Sequence, residues 1–183
     1  LPEKPSVRRK KLQEAWQVPD KEMAAMINAD VLDLVEATVK LGADPTRARS
    51  WWLGEIARIA NERAVAAADL AISAADVAEV ITLIVKGELT DKLARQVVEA
   101  LINGEGSVAK IIETRGIKVL SDDSTLMAAI ERAIAAAPDV AEKVRGGNIP
   151  ASGALIGAVM KESKGQADAA KVRDLLLKHL GQG

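Results

Sequence analysis

Apolar residues recur at intervals of three and four along nearly the whole chain, and no stretch alternates with the period of two that marks a half-buried strand. Turn signals cut this pattern into about ten short helices, which predicts an all-α fold. The first predicted helix, near Val7 to Trp16, carries Arg8, Arg9, Lys10 and Lys11 in a row, a run that suits a solvated helix face as well as a basic cluster. Val31, Leu34, Val35 and Val39 then mark the inward stripe of a helix over Asp30 to Leu41, with Asp30 expected to cap it. Gly42-Ala43-Asp44-Pro45 stops that helix and starts another, because glycine suits a helix exit and proline the first turn of the next. The new helix is predicted to run to about Ala66 with Trp52, Ile56 and Ile59 inward. Gly54 weakens its middle by up to about 1 kcal/mol relative to Ala, so a closely packed neighbour is expected there.

Ser73-Ala74-Ala75-Asp76 reads as a capping box ahead of Val77, Val80, Ile81 and Ile84. Thr90 is placed to cap the following helix, whose face of Leu93, Val97, Val98 and Leu101 ends at Asn103-Gly104. After a shorter helix around Ser107 to Thr114, Arg115-Gly116 leads through an extended Ile117 to Leu120 to a new cap at Ser121-Asp122-Asp123. A domain boundary is expected at this point, giving residues 1–115 as one helical bundle and 116–183 as a smaller helical tail. The tail is predicted to hold helices over Thr125 to Ala137, Asp139 to Arg145, Ala151 to Lys164 and Asp168 to Leu180.

A chain of 183 residues accommodates one domain or two small ones and buries enough surface to need no metal or disulfide. Zero cysteines exclude disulfides, thiolate nucleophiles and Cys-based zinc sites. No apolar run approaches the roughly 20 residues of a membrane span, and a cytoplasmic protein is expected. The opening Leu1-Pro2-Glu3-Lys4-Pro5 has neither an initiator Met nor a signal peptide's apolar core, so a piece of a longer chain is expected. The net charge of −1 argues against coating of nucleic acid by bulk electrostatics. The charge is uneven, however: from Lys143 onward seven Lys and Arg face three Asp and Glu, enough for a local phosphate-facing patch.

Catalytic arrangements are missing from the pattern. His179 has no second His and no Cys to complete a metal site or a triad. Asp122 and Asp123 read as helix caps, and no glycine-rich loop ends in Gly-Lys-Ser or Gly-Lys-Thr. Two arrangements point toward binding. Arg47, Trp51 and Arg58, at spacings of four and seven, are expected along one helix flank. An indole among guanidinium groups either stacks on a base or is a half-buried ring covered by arginine stems. In the tail, Leu155, Ile156, Val159 and Met160 form an inward stripe that leaves Lys161 and Lys164 outward, with Lys171, Arg173 and Lys178 on the next helix. These surround the Gly165-Gln166 turn, either as a phosphate-contacting patch or as an ordinary solvated surface.

Three stretches resemble one family. Trp51-Trp52-Leu53-Gly54-Glu55-Ile56 with Asn61-Glu62, the opening Leu1-Pro2-Glu3-Lys4-Pro5 with Arg8-Arg9, and Gly157-Ala158-Val159-Met160-Lys161 with Lys164-Gly165-Gln166-Ala167 are similar, in order, to segments of GatB, the B subunit of the aspartyl/glutamyl-tRNA(Asn/Gln) amidotransferases. The last also resembles a signature of stand-alone YqeY-type proteins. Ser50 stands where the family commonly has Asn, Ala158 where it has Gln, and Trp16 to Asn28 follows it loosely. The resemblance implies a helical linker domain over 1–115 and a YqeY-like tail domain over 116–183. It implies a non-catalytic region that binds and positions tRNA for a glutamine- and ATP-dependent conversion of Glu-tRNA(Gln) to Gln-tRNA(Gln), or of Asp-tRNA(Asn) to Asn-tRNA(Asn). ATP and Mg²⁺ are expected elsewhere in the parent protein, with no cofactor or metal in this region, and the amidase GatA and the GatC protein are the implied protein partners. Lys161, Lys164 and Gln166 match the tail signature; Lys171, Arg173, Arg47, Trp51 and Arg58 join them as expected RNA contacts from helix geometry. The competing expectation is a helical protein-interaction scaffold that touches no RNA, suited to the near-zero net charge and abundant Ala.

Overall fold

The computed structural model describes residues 4–183, so the start of the Leu-Pro-Glu stretch, Leu1 to Glu3, lies outside the described residues. Among the described residues every regular element is helical, and the only β-type pairing is an isolated parallel bridge between Leu120 and Ala167. The fold is therefore all-α, as the periodicity predicts. The chain divides into two units: residues up to Lys86 together with Arg95–Glu113, and Gly87–Ala94 together with Thr114–Gly183.

The first unit contains α1 (Pro5–Trp16), α2 (Asp20–Asn28), α3 (Leu32–Lys40), α4 (Pro45–Ser50), a π turn over Trp51–Ile56, α5 (Ala57–Glu62), α6 (Ala74–Val85), and most of α7 (Asp91–Ile102) and α8 (Val108–Arg115). Local chemistry sets several of its starts. The Asp44 carboxylate accepts from the Arg47 amide at 2.9 Å, with Pro45 in the first turn of α4. Ser73 and Asp76 complete a reciprocal capping box at α6. The start of α7 lies in the Gly87–Ala94 segment of the second unit, where Thr90 caps it, its hydroxyl accepting from the Leu93 amide at 3.2 Å. The expected cap at Asp30 is not formed. Asp30 adopts a left-handed φ of 54° and its amide bonds back to Ile27, so it belongs to the exit of α2, and α3 starts at Leu32 without a side-chain cap.

α4, the π turn and α5 form one continuous rod that ends at Glu62, short of the expected Ala66. Among its buried positions, Ala48, Trp52, Ile56 and Ala60 recur every four residues. A stripe with that spacing drifts around a helix of 3.6 residues per turn, and the π turn supplies the extra residue that keeps it pointed inward. Gly54 lies within this turn and is exposed, and a Cβ built there meets nothing within 4 Å. The close-packed neighbour expected at Gly54 is absent. Trp52 is fully buried, and its indole donates to the Thr38 hydroxyl at 2.9 Å; Thr38, also fully buried, donates in turn to the Leu34 carbonyl at 2.7 Å. This relay ties α3 to the π turn with its polar atoms satisfied.

The second unit packs α9 (Asp123–Ala136), α10 (Pro138–Arg145), α11 (Ser152–Glu162) and α12 (Ala169–His179) around one core in which Leu126, Ile130, Val144, Leu155, Val159, Val172 and Leu176 are buried. Asp122 caps α9 through the Thr125 amide at 3.0 Å, and Asp168 caps α12 through the Lys171 amide at 3.2 Å. Hydrogen bonds from the side-chain hydroxyl of Ser124 and from Thr125 hold the Asp122 carboxyl below its ordinary pKa, so it remains a charged acceptor at neutral pH.

Replacing Thr38 by Val keeps the shape but leaves the buried Trp52 N–H without an acceptor. The expected loss is about 1–3 kcal/mol of unfolding free energy, read from the midpoint of a urea titration at unchanged slope.

Candidate nucleic-acid interface

The tail surface is organised by the reversal between α11 and α12. Lys164 and Gly165 both take left-handed backbone, with φ of 53° and 80°. For a lysine that conformation is unfavourable by about 1–2 kcal/mol, so the surrounding bonds must hold it. The Gly165 amide donates to the Met160 carbonyl at 2.8 Å, and the Ser163 hydroxyl donates to Met160 and accepts from the Ala167 amide. Beyond the turn, Leu120 donates to the Gln166 carbonyl at 2.6 Å and accepts from the Asp168 amide at 3.0 Å. The extended segment before α9 is thereby stitched to the entrance of α12.

A second segment reaches the same turn. The Thr90 hydroxyl donates to the Gly165 carbonyl at 3.0 Å, and the aliphatic stem of Lys92 lies where a Cβ on Gly165 would have to go. Gly165 is therefore required by its φ, while the exposed Lys92 stem is a flexible neighbour that a Cβ would displace. Lys92 is exposed, and neither spacing nor charge pattern singles it out, since it stands far from the tail in sequence.

The predicted residues divide sharply. Lys161, at the end of α11, and Lys164, in the turn, are exposed, and like Lys92 they have no side-chain hydrogen bond or ion pair among the described residues. Gln166 is half-buried, and its backbone carbonyl holds Leu120. Lys171 is committed internally: its ammonium binds the Asp123 carboxylate at 2.7 Å and the Ser121 carbonyl, which raises its pKa chiefly through the Asp123 hydrogen bond. Arg173 is exposed without an ion pair among the described residues. The structure thus collects Lys92, Lys161 and Lys164 around one turn and employs Lys171 as a fastener of α12 to the start of α9.

Arg47, Trp51 and Arg58 are not gathered in the same way. Arg47 is exposed, but Trp51 is only 8 % exposed and shows little face for stacking. The added residue of the π turn rotates everything after it by about 100° relative to an α-helix, which carries Arg58 away from the flank of Arg47. Arg58 instead bridges Glu55 at 2.5 Å and Glu62 at 2.6 Å, and these bonds raise its pKa, Glu55 first. Arg8, from the basic run of α1, is paired with Asp33 and Glu36. Among the described residues no three His, Cys, Asp or Glu side chains stand close enough to hold a metal ion, and no helix is long and apolar enough to cross a membrane.

A family model described as the GatB domain matches residues 33–180 of this chain. The chain belongs to the GatB domain family. The B subunit of the aspartyl/glutamyl-tRNA(Asn/Gln) amidotransferase from Kineococcus radiotolerans is 52 % identical over 181 residues, covering 99 % of this chain and 36 % of that protein. The proteins of the same name from Streptomyces avermitilis, 52 % identical over 181 residues, and Bifidobacterium animalis subsp. lactis, 49 % identical over 180, share 99 % and 98 % of this chain and 36 % of their own lengths. This GatB domain thus spans just over a third of the relatives it matches.

Gly165→Ala in this GatB domain meets both a disfavoured φ and the Lys92 stem. Its unfolding free energy is expected to fall by more than about 1 kcal/mol, seen as a lower urea midpoint, whereas Gly54→Ala is expected to leave the midpoint unchanged or raise it.

Proposed function

We propose that this GatB domain is the tRNA-holding region of the B subunit of a tRNA-dependent amidotransferase, serving the glutamine- and ATP-dependent conversion of Glu-tRNA(Gln) to Gln-tRNA(Gln), of Asp-tRNA(Asn) to Asn-tRNA(Asn), or of both. In this reading residues 1–115 are a helical linker and 116–183 a YqeY-like tail, the activating chemistry and its Mg²⁺ lie outside this chain, and the working partners are tRNA, GatA and GatC in the cytoplasm. The relatives' name, an amidotransferase acting on aspartyl- and glutamyl-tRNA, supports the substrate class.

The observation that carries the reading is the set of lysines Lys92, Lys161 and Lys164 at the left-handed turn. Lysines with no carboxylate partner keep their full charge for an outside anion, and point charges on flexible stems suit phosphates, whose contacts position an RNA without reading its sequence. Arg173 is a further exposed cation of the same unit, and Arg47 is an exposed cation of the first unit with its own part in RNA contact; Gln166 shapes the turn through its backbone, and Lys171 supports it by fixing α12.

Each phosphate contact contributes about 0.7–0.9 to the slope of log affinity against log salt. Lys161→Glu with Lys164→Glu is expected to weaken binding of deacylated tRNA at every salt concentration and to flatten that slope. Lys92→Met keeps the stem over Gly165 and removes the charge, so the slope is expected to fall by about one contact while the thermal midpoint stays. A double variant that binds tRNA like the parent removes the lysine surface from the account; binding to GatA without any tRNA affinity would instead favour the scaffold.

A further inference from the structure

The rod of α4 and the π turn borders a cleft of about 410 Å³ lined by Glu22, Thr46, Arg49, Ser50, Leu53 and Gly54. All six residues belong to the first unit, remote in sequence from the tail lysines. Arg49 is unusual within it. It is 8 % exposed, its Nε donates to the Glu22 carboxylate at 3.0 Å, and its Nη1 is buried with no acceptor among the described residues. A buried guanidinium donor left unpaired is unfavourable and calls for an explanation.

The other walls are suited to a ligand. Thr46 and Ser50 carry hydroxyls four residues apart on the cleft wall, neither with a hydrogen-bond partner among the described residues. Gly54 stands one further turn along, its missing side chain leaving the backbone open, and neither its φ nor any neighbour within 4 Å requires a glycine. An approaching ligand would require one. Glu22 is 48 % exposed at its side chain and gives only one oxygen to Arg49, so its other oxygen is an acceptor awaiting a donor. The pair makes the cleft neutral, which disfavours a bare anion and favours a group carrying an acceptor for the guanidinium beside a donor for the carboxylate.

We infer that this cleft takes one ribose–phosphate unit of an RNA strand, with a phosphate oxygen on the Arg49 guanidinium and a ribose hydroxyl on the Glu22 carboxylate. A guanidinium matches phosphate oxygens, and the 2′-hydroxyl is the donor that separates RNA from DNA. The choice of an RNA strand as the source rests on the tRNA-holding function proposed above. Because Glu22 and Arg49 cancel, the contact adds affinity with little salt dependence, in contrast to the lysines.

The test is Gly54→Leu in the intact chain, which blocks the cleft from open space with a residue of better helix propensity. Binding of deacylated tRNA is expected to weaken about tenfold, the loss of one charged hydrogen-bonded contact, with an unchanged salt slope and a thermal midpoint no lower than the parent's. Arg49→Lys, which keeps the charge and loses Nη1, is expected to weaken it as well. If Gly54→Leu binds tRNA as the parent does while the Lys161/Lys164 double variant loses affinity, the cleft is no RNA site and the proposed function stands. If neither changes tRNA binding, the cleft and the lysine surface both fall as RNA contacts. If tRNA affinity is unchanged but adenosine 5′-monophosphate binds the parent and not Gly54→Leu, the occupant is a free nucleotide and the RNA assignment is overturned.

Discussion

The backbone reversal at Lys164 and Gly165 is the constraint on which the tail surface depends. Two successive left-handed residues, one of them a lysine, persist because three separate segments bond to them and their neighbours: the end of α11 through Met160 and Ser163, the extended stretch at Leu120, and the start of α7 through Thr90. Every side chain that faces outward there takes its position from this reversal. Lys164 points to solvent because its own φ turns the chain, Lys161 precedes it by one helical turn, and Lys92 is laid over the bare Cα of Gly165. A rigid frame under flexible ammonium groups suits phosphate contact, since the frame fixes register while the stems adapt.

Charge is divided between work inside the fold and work left over. Arg8, Arg58, Arg145 and Lys171 are each matched to carboxylates close by in space. At exposed positions such pairs contribute little stability, typically about 0–1 kcal/mol, but they remove cations from the pool available to a ligand. The turn lysines are among the cations left over in a chain of net charge −1, so a nearly neutral protein still keeps a local group of positive charges for the anion proposed above.

Much of the fold is legible in the sequence because its signals are short-range. Asp44, Ser73, Thr90 and Asp122 cap helices by reaching an amide three residues on, and the chain announces them within a few positions. Asp30 misleads under the same rule, since a residue type that caps helices also tolerates the left-handed exit of the preceding one. The π turn is illegible because it differs from an α-helix by a single residue, yet that residue decides whether Arg58 shares a face with Arg47. At the candidate site, Lys161 and Lys164 are visible as outward positions beside an apolar stripe. Lys92 is not, because Thr90 and Gly165 meet across 75 positions of sequence and no local pattern announces the meeting.

Lysine-reactivity footprinting with and without deacylated tRNA tests the central claim most directly, because it reads each ammonium group in the unmodified chain. Lys92, Lys161 and Lys164 are expected to be protected together by tRNA, while Lys21 and Lys110 label equally in both states. Equal labelling of the three turn lysines under conditions where tRNA is bound would contradict the account.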